Sequence, residues 1–125
     1  MNKPCPFCNF IQNRIIDQDE YVIVIRDGFP VSEGHTLIIP HRHMGSYFDT
    51  TQAERASIEA MLLKHRALLA AEFDVNDFNI GINDGPLAGQ TVPHLHVHLI
   101  PRRVGDMEDP RGGVRYVIPE KAKYW

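Results

Sequence analysis

The chain has 125 residues, 43% of them hydrophobic and 23% charged, and a net charge of −3. That length is expected to give one domain over residues 1–125, burying roughly two-thirds of the unfolded surface without disulfide staples. The mildly acidic balance offers no basic footprint for nucleic acid, and no apolar run approaches the ~18 residues of a membrane span. MNKPCPFCNF has no hydrophobic signal core, so the cytoplasm is the expected compartment. Two cysteines are not expected to form a structural disulfide there.

The pair itself is the first feature along the chain. Cys5 and Cys8 in CPFC make half of a zinc-binding pattern. Read alone, they could be two incidental residues in a turn, and a redox pair is disfavoured because no thioredoxin-like βαβ pattern surrounds them. YVIVIR at 21–26 is short and β-branched, which predicts a strand. The turn-like stretch DGFPVSEG follows, and TLIIP at 36–40 predicts a second strand. Residues 51–73 predict the one long helix: Thr51 and Glu54 make a capping-box pattern, and Ile58, Met61, Leu62, His65, Leu68 and Leu69 recur at helical spacing. FNIGI at 78–82 predicts a strand entering the turn NDGPLAGQT, and a histidine-rich strand is expected over 94–100. In the Arg-, Gly- and Pro-rich tail only VRYVI looks strand-like. Strands on either side of one helix imply an α+β domain with a mostly antiparallel sheet.

PHLHVHLIP at 93–101 carries the chemistry. With a side-chain period of two, Leu95, Val97 and Leu99 share one face of a strand, and His94, His96 and His98 share the other. An ordinary solvated face would use Thr, Lys, Glu or Ser. Two readings compete. The imidazoles hold a zinc ion, or one of them is a nucleophile tuned by its neighbours. Neutral imidazole needs no separate base, and crowded histidines oppose one another's protonation. Spacing alone does not choose between these. In GPLAGQT just upstream, Gly85 and Gly89 allow a sharp turn. The N–H groups of Gly89, Gln90 and Thr91, with the Thr91 hydroxyl, could form an anion-binding nest. An ordinary hairpin connection is the plain alternative.

HLHVHLI resembles the signature of the histidine triad (HIT) nucleotide hydrolases and transferases, in which three histidines alternate with apolar residues. RDGFPVSEGHTLIIP is similar to the family's nucleotide-binding half and NDGPLAGQTVPHLHVHLIPR to its catalytic half. The resemblance implies a HIT-like fold of about five mostly antiparallel strands with one long helix. It also implies attack on the α-phosphate of a purine nucleotide conjugate through a nucleotidyl-histidine intermediate. His96 would be the nucleophile, His98 would contact the phosphate, His94 would support the site, and His35 would stand behind the triad. Asp27 matches the ribose contact, and Asn83, Gly89, Gln90 and Thr91 match the phosphate and leaving-group contacts.

The resemblance further implies a structural zinc on Cys5, Cys8, His43 and His94, with His41 an alternative to His43, while catalysis needs no metal. His65 is expected at the core edge. Arg102, Arg103, Arg111 and Arg115 could reach distal phosphates or simply form a solvated tail. Asn83 resembles the Hint-like branch and DGPLAGQTV the Fhit-like branch, so phosphoramidates and diadenosine polyphosphates both stay open as substrates. A homodimer is expected. The alternatives are a nucleotide-binding scaffold with weak turnover and, last, a zinc hydrolase using the strand histidines, for which no general base is evident.

Overall fold

The computed structural model describes residues 5–9 and 12–125. Its β-branched runs form the middle of a sheet: β1 (Ile15–Gln18), β2 (Val22–Arg26), β3 (Thr36–Pro40), then helix α1 (Gln52–Phe73), β4 (Asp77–Gly81) and β5 (Val97–Arg102). The strand order is β1-β2-β3-β5-β4 and every pairing is antiparallel. The helix covers one face of the sheet. Val22, Val24, Ile38, Leu95 and Val97 meet Met44, Ile58 and Met61 there in one apolar cluster. Ile23, Ile25, Leu37 and Ile39 form a second cluster on the other face, against Phe7 and Ile15. That other face carries His96 and His98. Strands β2 and β3 are therefore covered on both faces, which is why they read as unbroken apolar runs.

The helix begins where its capping box predicts. The Thr51 hydroxyl accepts from the Glu54 N–H at 3.1 Å, and the Glu54 carboxylate accepts from the Thr51 N–H at 2.8 Å. It ends on Asp74 in the left-handed conformation, φ 54°. Its buried stripe is Glu54, Ile58, Met61, His65 and Leu69, whereas Leu68 is half exposed. Leu68 recurs at the helical spacing but lies outside the buried stripe. His65 is buried, and its ring bonds the Asp17 carboxylate at 2.8 Å, pinning β1 to the helix.

Three other expectations are corrected. β1 has no counterpart among the predicted elements: it is four residues long, polar at two of them, and its register slips between Ile15 and Asp17. The histidine strand spans 97–102 instead of 94–100. Upstream of Val97 the backbone leaves β3, and the Leu95 N–H donates to the Met44 carbonyl in the adjoining loop. VRYVI is not a strand. Gly112, at φ 96°, starts a tight 3₁₀ turn over Gly113–Val117, and the Arg115 guanidinium locks it by donating to the carbonyls of Lys121 and Ala122.

Gly34 shows how closely helix and site are joined. It sits at φ 91°, and a Cβ there would meet Leu69 Cδ2 and Phe73 Cε2 at 3.0 Å. Gly34→Ala is expected to destabilise the fold by about 1–3 kcal/mol through left-handed strain and overpacking. A lowered denaturant midpoint with an unchanged slope would report it.

Candidate active site

His96 and His98 project from the start of β5 onto the face opposite the helix, both half-buried, while His94 is fully buried. The His96 Nδ1–H donates to the His94 carbonyl at 2.9 Å. This fixes the tautomer and leaves Nε2 with a free lone pair. The neighbouring imidazole is fixed by a relay. The Val31 N–H donates to His35 Nδ1 at 3.2 Å, so the proton of neutral His35 sits on Nε2, which donates to His98 Nδ1 at 2.8 Å. The proton of His98 is thereby placed on its Nε2. Asp27 stands beside this pair, its Oδ2 3.4 Å from His35 Nε2, while its Oδ1 accepts the Phe29 N–H at 2.8 Å. Asp27, His35 and His98 could also share a cation, but both ring nitrogens of His35 already have protein partners.

Burial pushes the His98 pKa down to about 4, helped by the nearby His96 and His35 rings and opposed by Asp27. Burial also lowers that of His35, against the pull of Asp27. The His98 ring binds fewer protons folded than unfolded between about pH 4 and the ordinary 6.5, and His35 shifts in the same direction. Stability is therefore full above pH 6.5 and falls as the pH drops toward 4. The melting temperature is expected to fall over that window, and His98→Asn to flatten the fall.

A cleft of about 630 Å³ runs from His35 and His98 past Asn83 and Ile100 to Arg102 and the Gly113–Val117 turn. Of the four tail arginines only Arg102 lines it, and Arg102 is already paired with Asp106 at 2.8 Å and Asn79 at 2.6 Å. The loop before the triad departs from the expected nest. The Gly89 and Gln90 N–H groups donate to the Pro86 and Gly85 carbonyls within a 3₁₀ turn. The Gln90 side chain accepts from the Gly85 N–H and donates to the carbonyls of Gly45 and Val92. Gln90 thus closes the loop. Thr91 and Asn83 are exposed on it, with Asn83 close to Gly89. Asp84, which sequence reasoning passed over, ties this loop to the next by accepting from Ser46 and the Tyr47 N–H.

A second cluster lies behind His96. Cys5, Cys8, His43 and His94 bring one ligand atom each to within 4.8 Å of the others. Cys5 Sγ is 3.3 Å from His94 Nδ1, Cys8 Sγ is 3.2 Å from His43 Nδ1 and 3.5 Å from His94 Nδ1, and the two Nδ1 atoms are 3.1 Å apart. A tetrahedral ion with bonds of ~2.0 Å to nitrogen and ~2.3 Å to sulfur separates its ligands by roughly 3.3–3.8 Å. The donors fit such an ion. His94 Nε2–H donates to the Pro40 carbonyl at 2.9 Å, so the Nδ1 lone pair faces the two sulfurs. His41 is turned away and its ring bonds the Asp19 carbonyl at 3.0 Å.

Residues 9–105 match the HIT domain family. The chain belongs to the HIT family. It is 37% identical over 103 residues to an uncharacterised HIT-like protein of Mycoplasma genitalium, covering 78% of this chain and 72% of that one. It is 35% identical over 114 residues to a bis(5'-adenosyl)-triphosphatase of Saccharomyces cerevisiae, covering 86% of this chain and 55% of that enzyme. Among solved structures, the Caenorhabditis elegans NitFhit protein aligns with a TM-score of 0.78 at 34% identity, over 94% of this chain and 28% of that one. A zinc-bound histidine triad protein from Mycobacterium smegmatis aligns with a TM-score of 0.69 at 36% identity, over 76% and 69%.

One residue of this HIT site escaped sequence reasoning. Phe7, between the two cysteines, packs edge-on against the His96 ring with centroids 5.0 Å apart. Its position inside C-P-F-C was the available signal.

Proposed function

We propose that the protein is a nucleotide hydrolase or transferase that attacks the α-phosphorus of a purine nucleotide conjugate with His96 Nε2. The observation that carries this reading is the pair of fixed tautomers. His96 offers a lone pair, and His98, 5.2 Å away between ring centroids, offers an N–H. His96 Nε2 forms a bond to phosphorus as the bond to the leaving group breaks. A phosphate leaving group departs as its anion and an amine takes its proton from solvent, while the His98 Nε2–H hydrogen-bonds the oxygens that gain charge. Water or another acceptor then attacks the nucleotidyl-histidine, losing its proton to solvent as the phosphorus–nitrogen bond breaks and His96 leaves as the neutral imidazole. Asp27 faces the ribose, and Asn83 and Thr91 border the phosphate and leaving group.

The similarity to a yeast bis(5'-adenosyl)-triphosphatase favours diadenosine polyphosphates, with nucleoside phosphoramidates as the competing class. Zinc fits the Cys5–Cys8–His43–His94 set. With four protein ligands it would hold the N-terminal segment to the sheet and leave no position for water. A homodimer fits β4, a sheet edge on which Ile80 is half exposed.

The test is intact-protein mass after rapid mixing with diadenosine triphosphate or adenosine phosphoramidate. An adduct of one adenylyl group, mapped to His96, is expected. Turnover with no adduct on any time scale, extinguished by chelation of still-folded protein, would sink the reading.

A further inference from the structure

We propose that the Cys5–Cys8–His43–His94 centre orients the nucleophile, so that Phe7 and His94 are positioning residues for His96. This rests on His96 being the nucleophile. Two routes join the centre to that ring. The first runs through His94, whose Nδ1 faces the sulfurs, whose Nε2–H is held by the Pro40 carbonyl, and whose own carbonyl accepts the His96 Nδ1–H. A cation on His94 Nδ1 therefore fixes the residue whose backbone fixes the His96 tautomer. The second runs through Phe7. Cys5 and Cys8 flank it, and its ring meets His96 at an interplanar angle of 72° and His94 at 84° with centroids 6.2 Å apart.

The physical logic is that an imidazole on a half-buried surface can rotate about its ring torsion, which is broad and roughly two-fold. One hydrogen bond at Nδ1 resists that rotation, and an aromatic edge against the ring resists it further. The segment bearing Phe7 makes its described side-chain contacts with the rest of the chain largely through the cysteines and this ring. The Phe7 ring also packs against the Ile23, Ile25, Leu37 and Ile39 cluster, and an ion held by the flanking cysteines would fix it there against His96. Misplacement of a nucleophile by ~1 Å costs on the order of 100-fold in rate.

The experiment compares zinc-loaded wild type with Phe7→Leu and Phe7→Tyr. Metal content, kcat, KM and the imidazole ¹⁵N–¹H signals of His96, assigned by their loss in His96→Ala, are measured on each. Phe7→Leu is expected to keep one zinc per chain and to lower kcat about tenfold or more. Its KM should stay nearly unchanged and its His96 Nδ1–H signal should broaden; Phe7→Tyr should restore both. Zinc-free protein that stays folded should show the same broadening. Sharp, unshifted His96 signals in Phe7→Leu overturn the proposal, as does a raised KM with kcat unchanged, which makes Phe7 a wall of the substrate pocket. Should zinc-free protein unfold, the Phe7 variants alone decide. A His96→Ala variant that turns over normally defeats the nucleotidyl route instead, while the ring signals still report on the coupling.

Discussion

His96→Ala is expected to reduce turnover by roughly 10⁴-fold or more while leaving nucleotide affinity within a few-fold of wild type. The size follows from the nucleophilic role proposed for the residue. Losing a nucleophile whose neighbours act only through it removes the whole route, and in comparable catalytic units such losses reach ~10⁴–10⁶. Affinity should survive because the groups proposed to hold the nucleotide, Asp27, Asn83 and Thr91, are supported independently of the His96 ring. Asp27 is anchored by its turn, and Gln90 holds the loop closed through three hydrogen bonds. Single-turnover kinetics and calorimetric binding of a non-hydrolysable diadenosine analogue separate the two quantities. Equal turnover in wild type and variant would remove His96 from the chemistry. Binding without turnover in both would favour the scaffold reading.

What was legible in the sequence was whatever repeats with a period or is carried by a motif. Alternation placed Leu95 and Val97 against the helix and His96 and His98 on the other face, and the Thr51–Glu54 pattern placed the start of α1. What escaped depends on contacts far apart in the chain. β1 exists because Ile15 packs under Ile23 and Ile25 and because Asp17 reaches His65, 48 residues away; nothing in IIDQ announces that. Two N–H donors of the expected anion nest, those of Gly89 and Gln90, are satisfied inside their own turn, an accounting that needs coordinates. The surroundings of the tail arginines were hidden for a related reason. Arg111 lies over Trp125 and against Asp109, and Arg115 donates to the carbonyls of Lys121 and Ala122, contacts that composition alone does not announce. Site residues were easier to read than the scaffold that aims them. Phe7 shows the boundary, since its chemistry is ordinary and only its place against His96 gives it a role.

Stripping the proposed zinc is expected to lower the melting temperature by about 12–20 °C. An ion present at ~1,000 times its dissociation constant stabilises the folded state by about 4 kcal/mol, and each kcal/mol moves the midpoint of a domain this size by roughly 3–5 °C. The described residues explain why the dependence should be large. His94 is fully buried and its Nε2 is committed to Pro40, so without a cation its Nδ1 lone pair faces two sulfurs and the Nδ1 of His43 at 3.1 Å. At most a shared proton can relieve that crowding. Because the thiols must ionise for the metal to bind, the zinc-dependent gain should shrink as the pH falls. Scanning calorimetry of zinc-loaded and chelator-treated protein, with metal content measured in parallel, reads the shift. His43→Ala should lose both zinc and the added stability, whereas His41→Ala should keep both, since its ring serves only the Asp19 carbonyl. A midpoint that does not move when zinc is demonstrably lost would mean that the four donors bind an ion without using it to hold the fold.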